Sequence, residues 1–189
     1  MSIAQNTEYR TLNIYQDDTM SIQPTHPPFE PEITAFYCIY CGYMAADTAG
    51  AKHIKYPANV KFIRLPCTGK TDIRYLLEAF EQGADGVYVV ACPIGNCHHV
   101  RGNERGLARL KRAQKILDDI GIGGERLDMF FMSGSQAKSF VSAVDTMTER
   151  IRRLGPNPLK ARLEPVSVGQ AIAEPEEEAG YRGRRTKTK

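Results

Sequence analysis

Residues Gly86–Cys92 read GVYVVAC, a run that is apolar at almost every position. A strand with one face in water alternates apolar and polar side chains. A short run without that alternation suits the centre of a parallel sheet covered by helices on both faces. The flanking sequence agrees. Before it, Asp72–Gln82 places Ile73, Leu76, Leu77 and Phe80 on one helical face, and Gly83 ends the helix. After it, a helix over about Glu104–Ile120 is closed by Gly121. Ile33–Cys38 and Val60–Cys67 (VKFIRLPC) read as strands, with a small-residue helix over Gly42–Lys52 between them. Arg126–Met132 supplies a fourth strand. A last helix over Gln136–Leu154 repeats Phe140, Val144, Met147, Ile151 and Leu154 at intervals of three and four. Strand then helix, four times over, predicts an α/β domain: an open, mostly parallel four-stranded sheet with helices on both faces. Right-handed crossovers favour the strand order 2-1-3-4, the flavodoxin-like arrangement.

The domain expected on this pattern is residues 32–158. Residues 1–31 hold Pro24, Pro27, Pro28 and Pro31 and few consecutive apolar positions, and read as an irregular arm. Residues 159–189 read as a charged, disordered tail, with acidic EPEEE at 174–178 and basic RGRRTKTK at the end. The chain of 189 residues is 42% hydrophobic, consistent with an ordinary core between polar ends. No window approaches the apolar length that crosses a bilayer, and the first thirty residues lack a secretory signal pattern. A cytoplasmic location without membrane insertion is the expectation. Net charge of +3 gives no argument for nucleic acid.

The cysteines carry the chemistry. There are five, Cys38, Cys41, Cys67, Cys92 and Cys97, an odd number that argues against a disulfide framework. Cys38, Cys67 and Cys92 stand at or just past the carboxyl ends of the first three predicted strands, and Cys41 and Cys97 lie in the loops that follow. In an open parallel sheet those ends share one edge, where such folds build their sites. A thioredoxin-like dithiol needs only Cys38-x-x-Cys41 before a helix, and leaves three thiols unexplained. Zinc takes four ligands, usually as two close pairs, whereas the Cys92–Cys97 spacing is wide and a fifth thiol is surplus. An iron–sulfur cluster takes four thiolates and tolerates ligands from several loops, so it fits the pattern better. Helix starts after Cys41 and Cys97 would aim backbone N–H groups at an anionic centre. A free-standing thiol–disulfide oxidoreductase using Cys38 and Cys41, and a zinc-stabilised adaptor, stand as alternatives.

The stretches CIYCGYMAADTAG, YPANVKFIRLPCTGKTD, AFEQGADGVYVVACPIGNCHHVRGNERG and RLDMFFMSGSQAKSFVSAVDTM resemble the delta subunit of methyl-viologen-reducing hydrogenase. That family, also called the hydrogenase iron–sulfur subunit, recurs as a partner or fused module of heterodisulfide-reductase flavoproteins. The similarity runs from about Ile33 to Pro158. It implies one 2Fe–2S cluster in an electron-transfer subunit of an oxidoreductase complex that itself changes no bond. Electrons would pass from a hydrogenase, formate dehydrogenase or other donor subunit to the flavoprotein subunit of a heterodisulfide-reductase-like complex. All five cysteines occupy family positions, and four would be ligands. Cys38 and Cys41 are held toward one point by their short loop, and Pro93 and Gly95 shape a tight turn between Cys92 and Cys97. Cys67 is the one to leave out first.

Other signals are weaker. Gly69-Lys70-Thr71 has the form of a phosphate-loop ending, but Arg64 stands where that motif needs glycine. GIGGE at 121–125 follows a helix and reads as a helix-ending turn. His98 and His99, beside Cys97, are candidates to hydrogen-bond cluster sulfurs or tune the potential. Arg105, Arg109 and Arg112 share a helical face and could steer a docking surface. Tyr37, Tyr40 and Tyr43 are expected to shield the site or pack in the core.

Overall fold

A computed structural model describes residues 29–160 of the chain. The central apolar run becomes β3 (Gly86–Ala91), buried at every position. It pairs in parallel with β1 (Ile33–Cys38) on one side and β4 (Leu127–Phe131) on the other. β2 (Val60–Leu65) adds to the far side of β1, also in parallel, giving the order β2-β1-β3-β4. This is the 2-1-3-4 sheet expected from the sequence.

Alternate side chains of the two central strands feed two separate cores. Tyr37, Tyr88 and Val90 meet α1 (Gly42–Ala51) and α4 (Ala137–Leu154) through Ala45, Phe140, Val144 and Met147. Phe36, Val87 and Val89 meet α2 (Ile73–Glu81) and α3 (Gly102–Asp119) through Leu76, Phe80, Leu110 and Leu117. Each of these large apolar side chains contributes roughly 1.5–3 kcal/mol when fully buried. The two helix layers therefore fix the sheet, and with it the edge where the cysteines stand.

Boundaries differ from expectation where the backbone chemistry changes. β2 stops at Leu65, before Pro66, which has no N–H to offer the ladder. Cys67 instead caps a 3-10 turn over Thr68–Lys70. α2 starts one residue after Asp72, whose Oδ1 accepts the Arg74 N–H at 2.9 Å. Asp72→Ala should lower stability by about 1 kcal/mol, read as a shift in the denaturation midpoint at unchanged slope.

The edge opposite the cysteines is closed by polar groups. Asp85, fully buried, accepts the N–H of Glu32 and of Asn157, each at 2.8 Å, and the Lys160 ammonium at 2.9 Å. Arg126, also buried, donates to the carbonyls of Ile122, Asp85, Leu154, Gly155 and Pro156. Burial lowers the Arg126 pKa, and nearby Asp85 opposes that shift. Phe29 packs on the first core and Leu159 on the second, so the described chain begins and ends at this far edge. The arm expected over 1–31 and the tail over 159–189 otherwise lie outside the described residues. No helix among the described residues is long and apolar enough to cross a membrane.

Candidate metal centre

Adjacent parallel strands bring their ends together. β1 and β3 run in register, Tyr37 opposite Val90, so Cys38 and Cys92 leave the sheet side by side. Their sulfurs lie 3.8 Å apart, both buried. Cys41 occupies the residue before α1, near enough to Cys92 to bear on its ionisation. Burial pushes the Cys92 thiol well above its ordinary pKa, and the neighbouring Cys41 and Cys38 sulfurs add to the shift.

The other two thiols form a second group beside the first. Cys67 Sγ accepts the Gly69 N–H at 3.3 Å. Its pKa is raised by burial, against the pull of that N–H, and further by the proximity of Cys97 and Cys38. Cys97 differs. Burial would push it up too, but the N–H groups of Asn103, His99 and Gly102, with the Cys67 side chain, outweigh burial and lower its pKa. Two of those N–H groups belong to the first turn of α3, where unsatisfied donors and the helix dipole favour negative charge.

That arrangement depends on a close approach between α3 and the 3-10 turn. A Cβ at Gly102 would overlap Cys67 Sγ and stand 3.2 Å from Cys97 Sγ. One turn later, a Cβ at Gly106 would come within 2.7 Å of the Thr68 carbonyl oxygen. Arg109 clips the same seam, donating to the carbonyls of Gly69 at 2.7 Å and Thr71 at 3.1 Å. Asn103 secures the third loop. Buried completely, it donates from Nδ2 to Cys92 O at 3.0 Å and Pro93 O at 2.8 Å, while Oδ1 accepts the Glu104 N–H.

All five cysteines thus meet at the carboxyl edge of the sheet. Among the described residues, no three His, Cys, Asp or Glu side chains are gathered tightly enough to hold a single metal ion. A multi-iron cluster makes a looser demand, since its thiolates bind different irons across an inorganic core. The donor set fits such a group: soft sulfur ligands from three loops, with N–H groups aimed at two of the sulfurs.

The remaining sequence candidates are placed as follows. The His98 ring stacks on Tyr40, with centroids 3.9 Å apart, and His99 meets the same tyrosine edge-on at 5.7 Å. His99 reaches Cys97 through its backbone N–H. Arg105 and Arg112 are exposed on α3, whereas Arg109 is spent on the 3-10 turn. Tyr43 lies beneath the Arg64 guanidinium, 5.2 Å from ring centroid to Cζ. Tyr37 does not shield the thiols. It alternates to the other face of β1 and hydrogen-bonds Tyr88 at 2.6 Å inside the first core, where burial and Tyr88 push its pKa far up.

Sequence reasoning missed Asn103, Gly102 and Gly106. The glycine pair had a signal: Gly-x-x-x-Gly at a helix start marks one face where another backbone comes close. Asn103 had none, since a polar residue at a helix start is ordinary.

Comparison with known proteins agrees with this edge. A relative from Methanocaldococcus jannaschii, the iron-sulfur subunit of the vhu F420-non-reducing hydrogenase, is 53% identical over 133 residues, covering 70% of this chain and 99% of the relative. Its counterpart from Methanococcus maripaludis is 53% identical over 132 residues, covering 70% and 98%. A more distant match, 32% identical over 126 residues, covers 67% of this chain but 16% of a Methanosarcina acetivorans protein, one of the subunits of the ferredoxin/F(420)H(2)-dependent CoB-CoM heterodisulfide reductase. The family model of the methyl-viologen-reducing hydrogenase delta subunit matches residues 33–155, which span the whole sheet and every cysteine. The chain belongs to the methyl-viologen-reducing hydrogenase delta subunit family.

Proposed function

We propose that this protein is a 2Fe–2S electron-transfer subunit. It would relay electrons from a hydrogenase, formate dehydrogenase or similar donor to the flavoprotein subunit of a heterodisulfide-reductase-like complex. The observation that carries the reading is the convergence of five thiols from three loops, with Cys38 and Cys92 sulfurs at 3.8 Å. The relatives support it: some are named iron-sulfur subunits of hydrogenases, and another contains a related segment within a heterodisulfide reductase subunit.

Cys38, Cys41, Cys92 and Cys97 are the proposed ligands. Cys67 is set apart because its sulfur already caps the 3-10 turn. When bound, the cluster supplies storage for one electron at a potential set by its surroundings. The chain's own part is geometric and electrostatic. Cys38, Cys67 and Cys92 are buried while Cys41 and Cys97 are half-exposed, so the centre has an inner and an outer side. The N–H groups at Cys97 favour added negative charge and so favour reduction. The buried Cys38 is poorly placed to attack an outside disulfide, which weighs against the thiol–disulfide reading.

Anaerobic purification with metal and sulfide analysis tests this. About two irons and two acid-labile sulfides per chain, with a paramagnetic signal on one-electron reduction, are expected. Stoichiometric zinc in a colourless protein would support the adaptor instead.

A further inference from the structure

Several large apolar side chains are exposed among the described residues, and Val100 is the most exposed of them. Val100 is 78% exposed, Ile94 55% and Ile39 38%, and all three sit in the loops that carry the cysteines. Val100 is also strained: its φ is +62°, a left-handed conformation that β-branched residues avoid. It stands there because the chain turns back after Cys97, pairing Cys97 with Val100 across an isolated bridge. The stacking of Tyr40 on His98 joins the Cys38–Cys41 loop to the Cys97 loop, and Ile39, Ile94 and Val100 all belong to these joined loops. An apolar patch kept exposed at the cost of backbone strain marks an interaction surface.

Charge identifies the occupant. In residues 38–42, 66–72 and 92–105 the only carboxylates are Asp72, which caps α2, and Glu104, which pairs with Arg101 at 2.7 Å. Lys70 and Arg105, both exposed, have no carboxylate partner among the described residues. The carboxylates that hold ion pairs elsewhere, Glu30, Glu32, Asp85 and Asp128, lie outside these loops. The lip is therefore apolar at its centre and cationic around it.

We propose that the lip formed by Ile39, Ile94 and Val100, flanked by Lys70 and Arg105, docks a protein electron carrier with an apolar centre and an acidic rim. This rests on the electron-relay reading and adds the face and the chemistry of the partner. Docking there sets the carrier against Cys41 and Cys97, the two half-exposed thiols, and one electron passes from the reduced carrier to the oxidised centre. Acidic groups on the partner meet Lys70 and Arg105 early, steering encounter, while Val100 is desolvated last.

The test uses the full-length, cluster-loaded protein and a reduced acidic ferredoxin as the probe carrier, followed by stopped-flow absorbance. Electron transfer is expected to slow steeply as salt rises. Val100→Asp should slow it about tenfold or more, as should the pair Lys70→Glu with Arg105→Glu, which also flattens the salt dependence. Val100→Gly is the sharpest variant: relief of strain raises the unfolding midpoint while transfer still slows. All variants should keep wild-type iron content and reduce normally with dithionite. Salt-independent transfer, or wild-type rates in Val100→Asp and Val100→Gly, overturns the docking face while leaving the relay reading intact. A shift in potential without a change in salt dependence means that the cations only offset cluster charge, and overturns it equally. A chain that binds no cluster defeats the relay reading and this inference together.

Discussion

Cys92→Ser is expected to strip the protein of iron, sulfide and colour together, to below about a tenth of the wild-type content. Cys92 stands at the junction of the site, with Cys38 Sγ at 3.8 Å and Cys41 close enough to raise its pKa. Serine there offers a harder, shorter donor that seldom replaces thiolate, and it disturbs two neighbours at once. Cys38→Ser and Cys41→Ser should behave alike, because both lie in the same short loop. Cys67→Ser is expected to keep the cluster. A serine hydroxyl accepts the Gly69 N–H as well as sulfur does, so the cap survives and stability changes by no more than about 1 kcal/mol. Iron and sulfide per chain, with the spectrum of the reduced protein, read the series. Loss of iron in Cys67→Ser together with retention in Cys97→Ser would transfer the fourth ligand role to Cys67.

The sheet was legible because its signals are redundant. β3 shows its burial as an unbroken apolar run, and the amphipathic spacing of α2 and α4 says which face packs. Given four strand–helix units, handedness leaves few topologies, and 2-1-3-4 follows. The convergence of the cysteines was legible for the same reason, since three of them end strands. What the sequence could not convey is side-chain direction at the strand ends. Tyr37 and Cys38 are neighbours in sequence, yet one lies in the first core and the other at the thiols. Nor could spacing reveal that Arg109, though exposed, donates to two carbonyls, because those contacts join residues 40 and 38 positions apart. The buried clamp of Asp85, Arg126 and Asn157 was invisible for a related reason. Charged residues are rarely buried, and only three-dimensional pairing makes it tolerable.

Two glycine-to-alanine changes in helices should move in opposite directions, and the contrast isolates the seam at the thiols. Alanine is a better helix former than glycine by about 1 kcal/mol, whatever the helix does. At Gly50, in the last turn of α1, an added Cβ meets nothing within 4 Å, so Gly50→Ala should raise stability by roughly 0.5–1 kcal/mol and leave iron content unchanged. At Gly102 the same Cβ overlaps Cys67 Sγ, crowds Cys97 Sγ at 3.2 Å and stands 3.4 Å from the Gly69 nitrogen. Retreat is blocked one turn further on, where Gly106 already rests on the Thr68 backbone and Arg109 holds the turn in place. α3 must therefore tilt or the thiols must part. Overpacking of this kind costs about 1–3 kcal/mol, which outweighs the propensity gain. The effect on metal should exceed the effect on folding, because Cys97 loses its N–H donors as the helix start moves away. Denaturation of the metal-free protein and iron analysis of the loaded one separate the two effects. Normal iron uptake in Gly102→Ala would mean that the first turn of α3 does not position Cys97, and that the close seam serves packing alone.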